Sequence, residues 1–311
     1  MIEVEDLAKR YGDRTAVDGI SFQVYPGTVT GFLGPNGAGK STTMRMIAGL
    51  DRPTAGRVRV NGRDYRGAPA PMAELGVLLE AKAVHPGRSA RDHLLALAQT
   101  AGLGKARVQA VIEQVGLADV AGRRVGGFSL GMGQRLGIAT ALLGQPRTVM
   151  LDEPVNGLDP EGVRWVRTLL RSLADQGCTV FVSSHLLGEM AETADRLVVI
   201  GRGRVIADST VDDFVAGMVS DAVVVRTPDA ARLRELLSAP GVTVAADSPD
   251  TLHVRGLSTD QIGRAAWQAN LPVLELSVTR GSLEEAFMQA TNDSTEFISA
   301  KFISTGQEAV R

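Results

Sequence analysis

Eight consecutive residues, Gly34-Pro35-Asn36-Gly37-Ala38-Gly39-Lys40-Ser41, combine the types that hold a phosphate chain. Glycines let a backbone wrap phosphates with its N–H groups, and a helix opening at this point adds roughly half a positive charge at its N-terminus. At this spacing Lys40 reaches the β and γ phosphates of a nucleoside triphosphate, and the Ser41 hydroxyl holds Mg²⁺. Asn36, Gly37, Gly39 and Thr42 fall within the same wrap. A Gly-rich turn without a ligand is the competing reading. The flanking segments argue against it, because an apolar strand-like run, Thr28 to Leu33, enters the loop and a helix-forming run, STTMRMIAGL, leaves it.

A second group of reactive residues ends the apolar run Thr148-Val149-Met150-Leu151-Asp152-Glu153-Pro154. Two adjacent carboxylates at the end of a strand place Asp152 for Mg²⁺, directly or through water. They leave Glu153 near the γ-phosphate to orient and deprotonate an attacking water. A strand followed by an acidic turn is common, so the weight of this pair comes from its company with the phosphate loop.

The elements that position these groups are legible as an α/β pattern. Ile2 to Val4, Ile20 to Val24 and Arg57 to Asn61 read as short strands between turn signals. From about 85 to 147 the pattern becomes helical, with DHLLALAQTAG, ARVQAVIEQVG and GQRLGIATALLG each closed by Gly. This stretch is expected to be an inserted helical subdomain. Strands return at TVMLD and TVFVSS around the helix-like EGVRWVRTLLRSLADQG, and RLVVIGRGRVIAD reads as a hairpin turning on GRG. Beyond about Val219 the order is strand, helix, two strands, helix, strand, which predicts a ferredoxin-like α+β domain over 219–290 beside a nucleotide-binding domain over 1–210. The remaining polar residues, 291–311, are expected to form a flexible tail.

Bulk properties bound the function classes. The chain has 311 residues, 44% hydrophobic and 22% charged, enough to bury a sizeable core. Thirty-three basic against 35 acidic residues give a formal charge of -2, with no net drive toward nucleic acid. The single Cys178 forms no internal disulfide, which suits a reducing compartment. The N-terminal MIEVEDLAKRYGDR lacks the basic and apolar blocks of a secretory signal. Apolar runs such as Leu197 to Ile200 are strand-length, far below the roughly 18 to 20 residues that span a bilayer. Any membrane role is therefore expected to need a partner.

Across about the first 210 residues the chain resembles the ATPases of ATP-binding cassette (ABC) transporters. Besides the two motifs above, Phe128-Ser129-Leu130-Gly131-Met132 with Gln134-Arg135 is similar to that family's signature segment, whose Ser and Gly contact the γ-phosphate held by the opposite subunit. Asn156-Gly157-Leu158-Asp159 resembles the dimer-contacting D-loop, Ser183-Ser184-His185 the switch histidine, and Tyr11 the aromatic that stacks on adenine. Taken singly, Ser129 is an ordinary helix cap, His185 a structural histidine and Tyr11 a partly buried aromatic. Order and spacing between the two stronger motifs carry the assignment. The resemblance implies a P-loop NTPase core with an antiparallel β subdomain, ATP and Mg²⁺ as ligands, a second ATPase copy and an integral membrane permease as partners, and a place on the inner face of the plasma membrane.

Three positions depart from the family pattern. Glu80 stands where the family generally has a Gln that touches Mg²⁺, beside a loop that meets the membrane subunit. A carboxylate there is attracted by Mg²⁺ and repelled by the γ-phosphate and Asp152. Each unit-charge pair is worth about 4 kcal/mol at roughly 4 Å and an effective dielectric of about 20. Both a metal-facing Glu80 and one outside the site remain open on these terms. Leu130 and Met132 replace the family's Gly and Gln, but Ser129 and Gly131 are retained. Similar SLGM forms, and an endpiece like Ser282-Leu283-Glu284-Glu285-Ala286-Phe287, occur in exporter subunits of bacitracin and daunorubicin type, whereas sugar-importer subunits usually append all-β domains.

The resemblance implies a cycle in which two copies close head to tail on ATP. Glu153 polarises water, His185 holds the γ-phosphate or that water, and hydrolysis reopens the pair. The rival class is a soluble ABC-type ATPase acting on nucleic acid or a macromolecular complex. Such proteins usually carry long coiled-coil insertions or two cassettes, and this chain has one cassette and no sustained heptads. A ligand-binding regulatory role for the C-terminal domain is compatible with either.

Overall fold

The computed structural model describes residues 1–80, 84–219, 221–279 and 281–291. Among these the chain divides into two compact units, Met1–Val211 with Thr291, and Asp212–Ala290. The expected tail, apart from Thr291, lies outside the described residues.

The first unit opens with β1 (Ile2–Tyr11) and β2 (Arg14–Val24), then β3 (Val29–Leu33), α1 (Lys40–Ile47), β4 (Ala55–Val60), α2 (Pro71–Glu74) and β5 (Leu75–Leu78). Three helices follow, α3 (Ala90–Thr100), α4 (Lys105–Gln114) and α5 (Leu130–Leu142). The chain then returns through β6 (Thr148–Asp152), α6 (Pro160–Asp175), β7 (Thr179–Ser183), α7 (Leu187–Thr193), β8 (Arg196–Gly201) and β9 (Arg204–Thr210). These strands form two sheets, an antiparallel one ordered β2-β1-β4 and a six-stranded one ordered β5-β6-β7-β3-β8-β9. In the larger sheet every pair is parallel except β8 with β9.

Residue type explains this division. β3 and β7 are buried at every position and β6 at all but Asp152, which is the near-continuous apolar pattern of strands covered on both faces. β1 and β2 are longer than the short strands expected, because charged residues alternate with Ile2, Val4 and Leu7 and bulges interrupt the register between Val4 and Arg10. β5 was not expected at all; it is a four-residue edge strand. At the β8–β9 hairpin the turn narrows to Arg202 (φ 50°) and Gly203 (φ 78°), a two-residue turn with both φ positive.

Phe22 from the antiparallel sheet and Phe32 and Phe181 from the parallel one join the two layers, with ring centroids 4.9–5.7 Å apart. Phe181 is fully buried at their centre. Phe181→Ala is expected to cost about 3–5 kcal/mol of stability, read as a lower urea midpoint; an unchanged midpoint would show that the two sheets do not depend on this contact.

The second unit contains most of α8 (Val211–Met218), then β10 (Ala222–Arg226), α9 (Ala230–Leu237), β11 (Thr243–Ser248), β12 (Thr251–Arg255), α10 (Thr259–Gln268), β13 (Glu275–Thr279) and all but the last residue of a helix over 283–291. The residues between the two expected domains, 211–218, are helical, and contacts assign them to the second unit from Asp212 onward. All strand pairs in this unit are antiparallel and the order is β11-β12-β10-β13. This is the split β-α-β-β-α-β arrangement. Alternate residues Val223, Val225, Leu252 and Val254 meet Leu233, Leu237 and Ile262 of the two helices in one core.

Candidate active site

Strand order brings the reactive residues together. β7 lies between β3 and β6 in a parallel sheet, so the carboxyl ends of all three open on one crevice, where ligands of open α/β sheets bind. β3 runs into the glycine loop, β6 ends at Asp152 and β7 ends at Ser183.

The loop passes into α1 through Gly39, which has φ 108° and caps the helix. A side chain at Gly39 would be strained by that φ and would bring a Cβ to 2.6 Å from the Ala16 carbonyl oxygen. Lys40 is buried, and its Nζ donates to the Gly34 carbonyl at 2.5 Å and to that of Pro35 at 3.4 Å. Burial pushes the Lys40 ammonium below its usual range, while Glu153 and Asp152 pull it back up.

Ser41 Oγ donates to Asp152 Oδ2 at 3.1 Å. The other Asp152 oxygen accepts from Ser183 Oγ, and Ser183 Oγ itself accepts from the Glu153 N–H at 3.0 Å. Glu153 is held at φ 51°, a left-handed conformation that is strained for a side-chain-bearing residue. Two side chains hold this backbone, Ser183 at its N–H and Gln134 Nε2 donating to its carbonyl at 3.0 Å. The Glu153 carboxylate then meets His185, which approaches Oε2 with Nδ1 at 2.6 Å and its backbone N–H at 3.3 Å. For Nδ1 to donate here it must carry the proton, so in a neutral ring Nε2 presents a lone pair.

Tyr11 is half exposed; its hydroxyl is 3.1 Å from Asp51 Oδ2, and Lys9 Nζ lies 4.9 Å from the ring centroid. Tyr11, Asn36, Gly37, Gly39, Lys40, Ser41, Thr42, Asp152 and Glu153 line one cleft of about 560 Å³. Glu80 lines a neighbouring cavity of about 580 Å³ that Ser41 and Asp152 also border, together with Arg45. The residues following Glu80, 81–83, lie outside the described ones.

Ser129 and Gly131 are not among the lining of that cleft. Ser129 caps α5, its Oγ accepting from the Met132 N–H at 3.2 Å. Gly131 abuts Leu158, and a Cβ at Gly157 (φ 72°) would overlap Leu130, so the two segments are packed together. Asp159 caps α6, with Oδ1 accepting from the Gly162 N–H at 2.7 Å.

The donor set fits a magnesium nucleotide. Ser41 and Asp152 offer two side-chain oxygens 3.1 Å apart beside the phosphate loop, and among the described residues no group of three or more His, Cys, Asp or Glu forms a cage. Mg²⁺ suits such a place, since it is commonly held by one or two protein oxygens plus substrate phosphates and water. Sequence reasoning assigned no role to Ser183 or Gln134. The signal for Ser183 was available only through register, which pairs Asp152 with Ser183.

A family model described as "ABC transporter" matches residues 17–156, and one described as "Domain of unknown function (DUF8746)" matches residues 221–284. The daunorubicin resistance ATP-binding protein DrrA3 of Streptomyces coeruleorubidus is 37% identical over 305 residues, which cover 94% of this chain and 96% of that protein. The bacitracin transport ATP-binding protein BcrA of Bacillus licheniformis is 40% identical over 215 residues, 68% of this chain and 70% of that one. Among solved structures, an ATP-binding subunit of an ABC transporter superposes with a TM-score of 0.64 at 28% identity, covering 70% of this chain and 92% of that one. A dimeric ATP-binding cassette bound to ADP and Pi, at 22% identity and a TM-score of 0.62, shares the fold over 68% of this chain and 98% of that one.

Proposed function

This chain belongs to the ATP-binding proteins of ABC transporters, and from that premise we propose that it works as one of two identical ATPase subunits docked on a separate membrane permease of an exporter. Its ATPase activity follows from the family. The observation that supports the site assignment is the convergence of Lys40, Ser41, Asp152, Glu153 and Tyr11 on one cleft, with His185 on the Glu153 carboxylate. Export is favoured by the printed roles of the two relatives above, in daunorubicin resistance and bacitracin transport. Among the described residues no helix is long and apolar enough to cross a membrane. A permease partner, and a place on the cytoplasmic face of the membrane, complete the reading.

The chemistry derives from the geometry. Backbone N–H groups of 36–42 and the Lys40 ammonium hold the triphosphate, whose charged oxygens outcompete the two neutral carbonyls that Lys40 now contacts. Ser41 and Asp152 would hold Mg²⁺, which when bound neutralises charge on the β and γ phosphates. Glu153 takes a proton from the water that attacks the γ-phosphorus in line. The His185 ring, released from Glu153, hydrogen-bonds the γ-phosphate or that water. Ser129 and Gly131, at the start of α5, complete the site of the opposite copy, which agrees with their place outside this chain's own cleft.

Glu80 shares a cavity with Ser41 and Asp152, which supports the metal-facing reading, and Arg45 on the same cavity offsets part of the added negative charge. Glu80→Gln is therefore expected to raise the Mg²⁺ concentration for half-maximal hydrolysis, with a smaller change in the ATP requirement at saturating Mg²⁺. The measurement belongs on the permease complex with Glu80→Ala beside it. Identical Mg²⁺ curves for all three proteins would place Glu80 outside the metal's reach.

The transporter assignment is tested by affinity purification of the full chain from membranes in mild detergent. An integral membrane protein that co-purifies and raises the ATPase rate is expected. ATPase activity recovered only with nucleic acid or a soluble complex would instead favour the rival class.

A further inference from the structure

The hairpin that carries Tyr11 also carries a cation with no assigned role. Tyr11 and Arg14 are register partners that close the β1–β2 turn, so their side chains leave the same face of the ribbon. Two residues on, Ala16 sits at the bulge between the Thr15 and Val17 pairings, and its carbonyl abuts Gly39 of the phosphate loop. Arg14 and Ala16 both line the cleft, together with Tyr11, Gly37, Lys40 and Thr42. Arg14 is exposed, and among the described residues its side chain has no hydrogen-bond or ion-pair partner. The other arginine beside Tyr11, Arg45, is already bound to Asp51 by two hydrogen bonds.

A guanidinium is always charged, and its planar fork matches phosphate oxygens two at a time. Resting on the nucleotide reading above, we infer that Arg14 is a nucleotide-binding residue whose guanidinium contacts the α- or β-phosphate. Arg14 pairs with the base-stacking aromatic and lies two residues from the point where the hairpin meets the loop at Gly39, and that place selects those phosphates. The γ-phosphate belongs where Ser41, Asp152 and Glu153 meet. Because both ATP and ADP carry the α and β groups, Arg14 strengthens their binding alike and leaves the hydrolytic step to Glu153.

The test is calorimetric titration of the full chain with ATP and, separately, with ADP, for wild type, Arg14→Ala and Arg14→Lys. Arg14→Ala is expected to weaken both nucleotides by a similar factor, about tenfold, and Arg14→Lys to recover part of that loss by keeping the charge. The gap between wild type and Arg14→Ala should narrow as salt is raised. Unchanged affinities in Arg14→Ala would overturn the inference while leaving the nucleotide reading intact. So would a loss confined to ATP, which would move the contact to the γ-phosphate, or a lysine variant as weak as the alanine one, which would point to stacking. A wild-type chain that binds neither nucleotide would overturn the nucleotide reading and this inference together.

Discussion

Replacing Glu153 with Gln is expected to lower ATP turnover by at least the roughly 10² that a general base contributes, with ATP binding retained. The substitution preserves shape and removes only the proton-accepting charge. Nothing that holds the triphosphate is touched, since Lys40 and Ser41 contact the loop carbonyls and Asp152 rather than the Glu153 side chain. The strained Glu153 backbone is also kept, because its partners Ser183 and Gln134 bond to main-chain atoms. Single-turnover hydrolysis measured beside equilibrium ATP binding separates the two effects. Turnover near the wild-type rate would show that another group is the base.

Replacing Lys40 with Ala is expected to weaken ATP binding by about ten- to a hundredfold, the range for losing charge-assisted hydrogen bonds, and to lower hydrolysis with it. The loss has two physical parts. The ammonium no longer faces the β and γ phosphates, and the Gly34 and Pro35 carbonyls it now engages turn unopposed dipoles toward an anion. Because Lys40 is buried, the variant's unfolding midpoint should be measured alongside. Calorimetry that finds unchanged ATP affinity in a folded variant would count against the phosphate loop.

The two strong motifs were legible because each is contiguous, and each places its own chemistry at the end of its own strand. What escaped the sequence depends on pairing between distant segments. Ser183 meets Asp152 only because β6 and β7 are parallel neighbours in register, and Gln134 reaches Glu153 only because α5 packs beside β6. β5 was missed because a four-residue apolar run, Leu75 to Leu78, has neither alternation nor length to separate strand from helix. β1 was shortened because bulges break its period after Val4. The C-terminal unit was readable in outline for the opposite reason, since its elements are local and alternate cleanly, as in Val223 and Val225 or Leu252 and Val254.

Ser129 shows where a resemblance adds to geometry. Within one chain it is a helix cap, bonded to the Met132 N–H and absent from the lining of the cleft that holds Lys40. The proposed role on phosphate places it in the site of a second copy, and the same holds for Gly131. The packing of Leu130 against Gly157 joins this segment to the one containing Asp159, so closure of two copies would move both together.

The proposal that ATP is sandwiched between two copies is tested most directly by the mass of the particle. Glu153→Gln protein, slowed in turnover, is measured by light scattering without and with Mg²⁺ and ATP, alone and with Ser129→Arg added. The account predicts that ATP doubles the mass of Glu153→Gln, and that Ser129→Arg leaves ATP bound to each chain while abolishing the doubling. A mass that still doubles in the double variant, or ATP binding lost from its isolated chains, would contradict a site completed by the partner's Ser129.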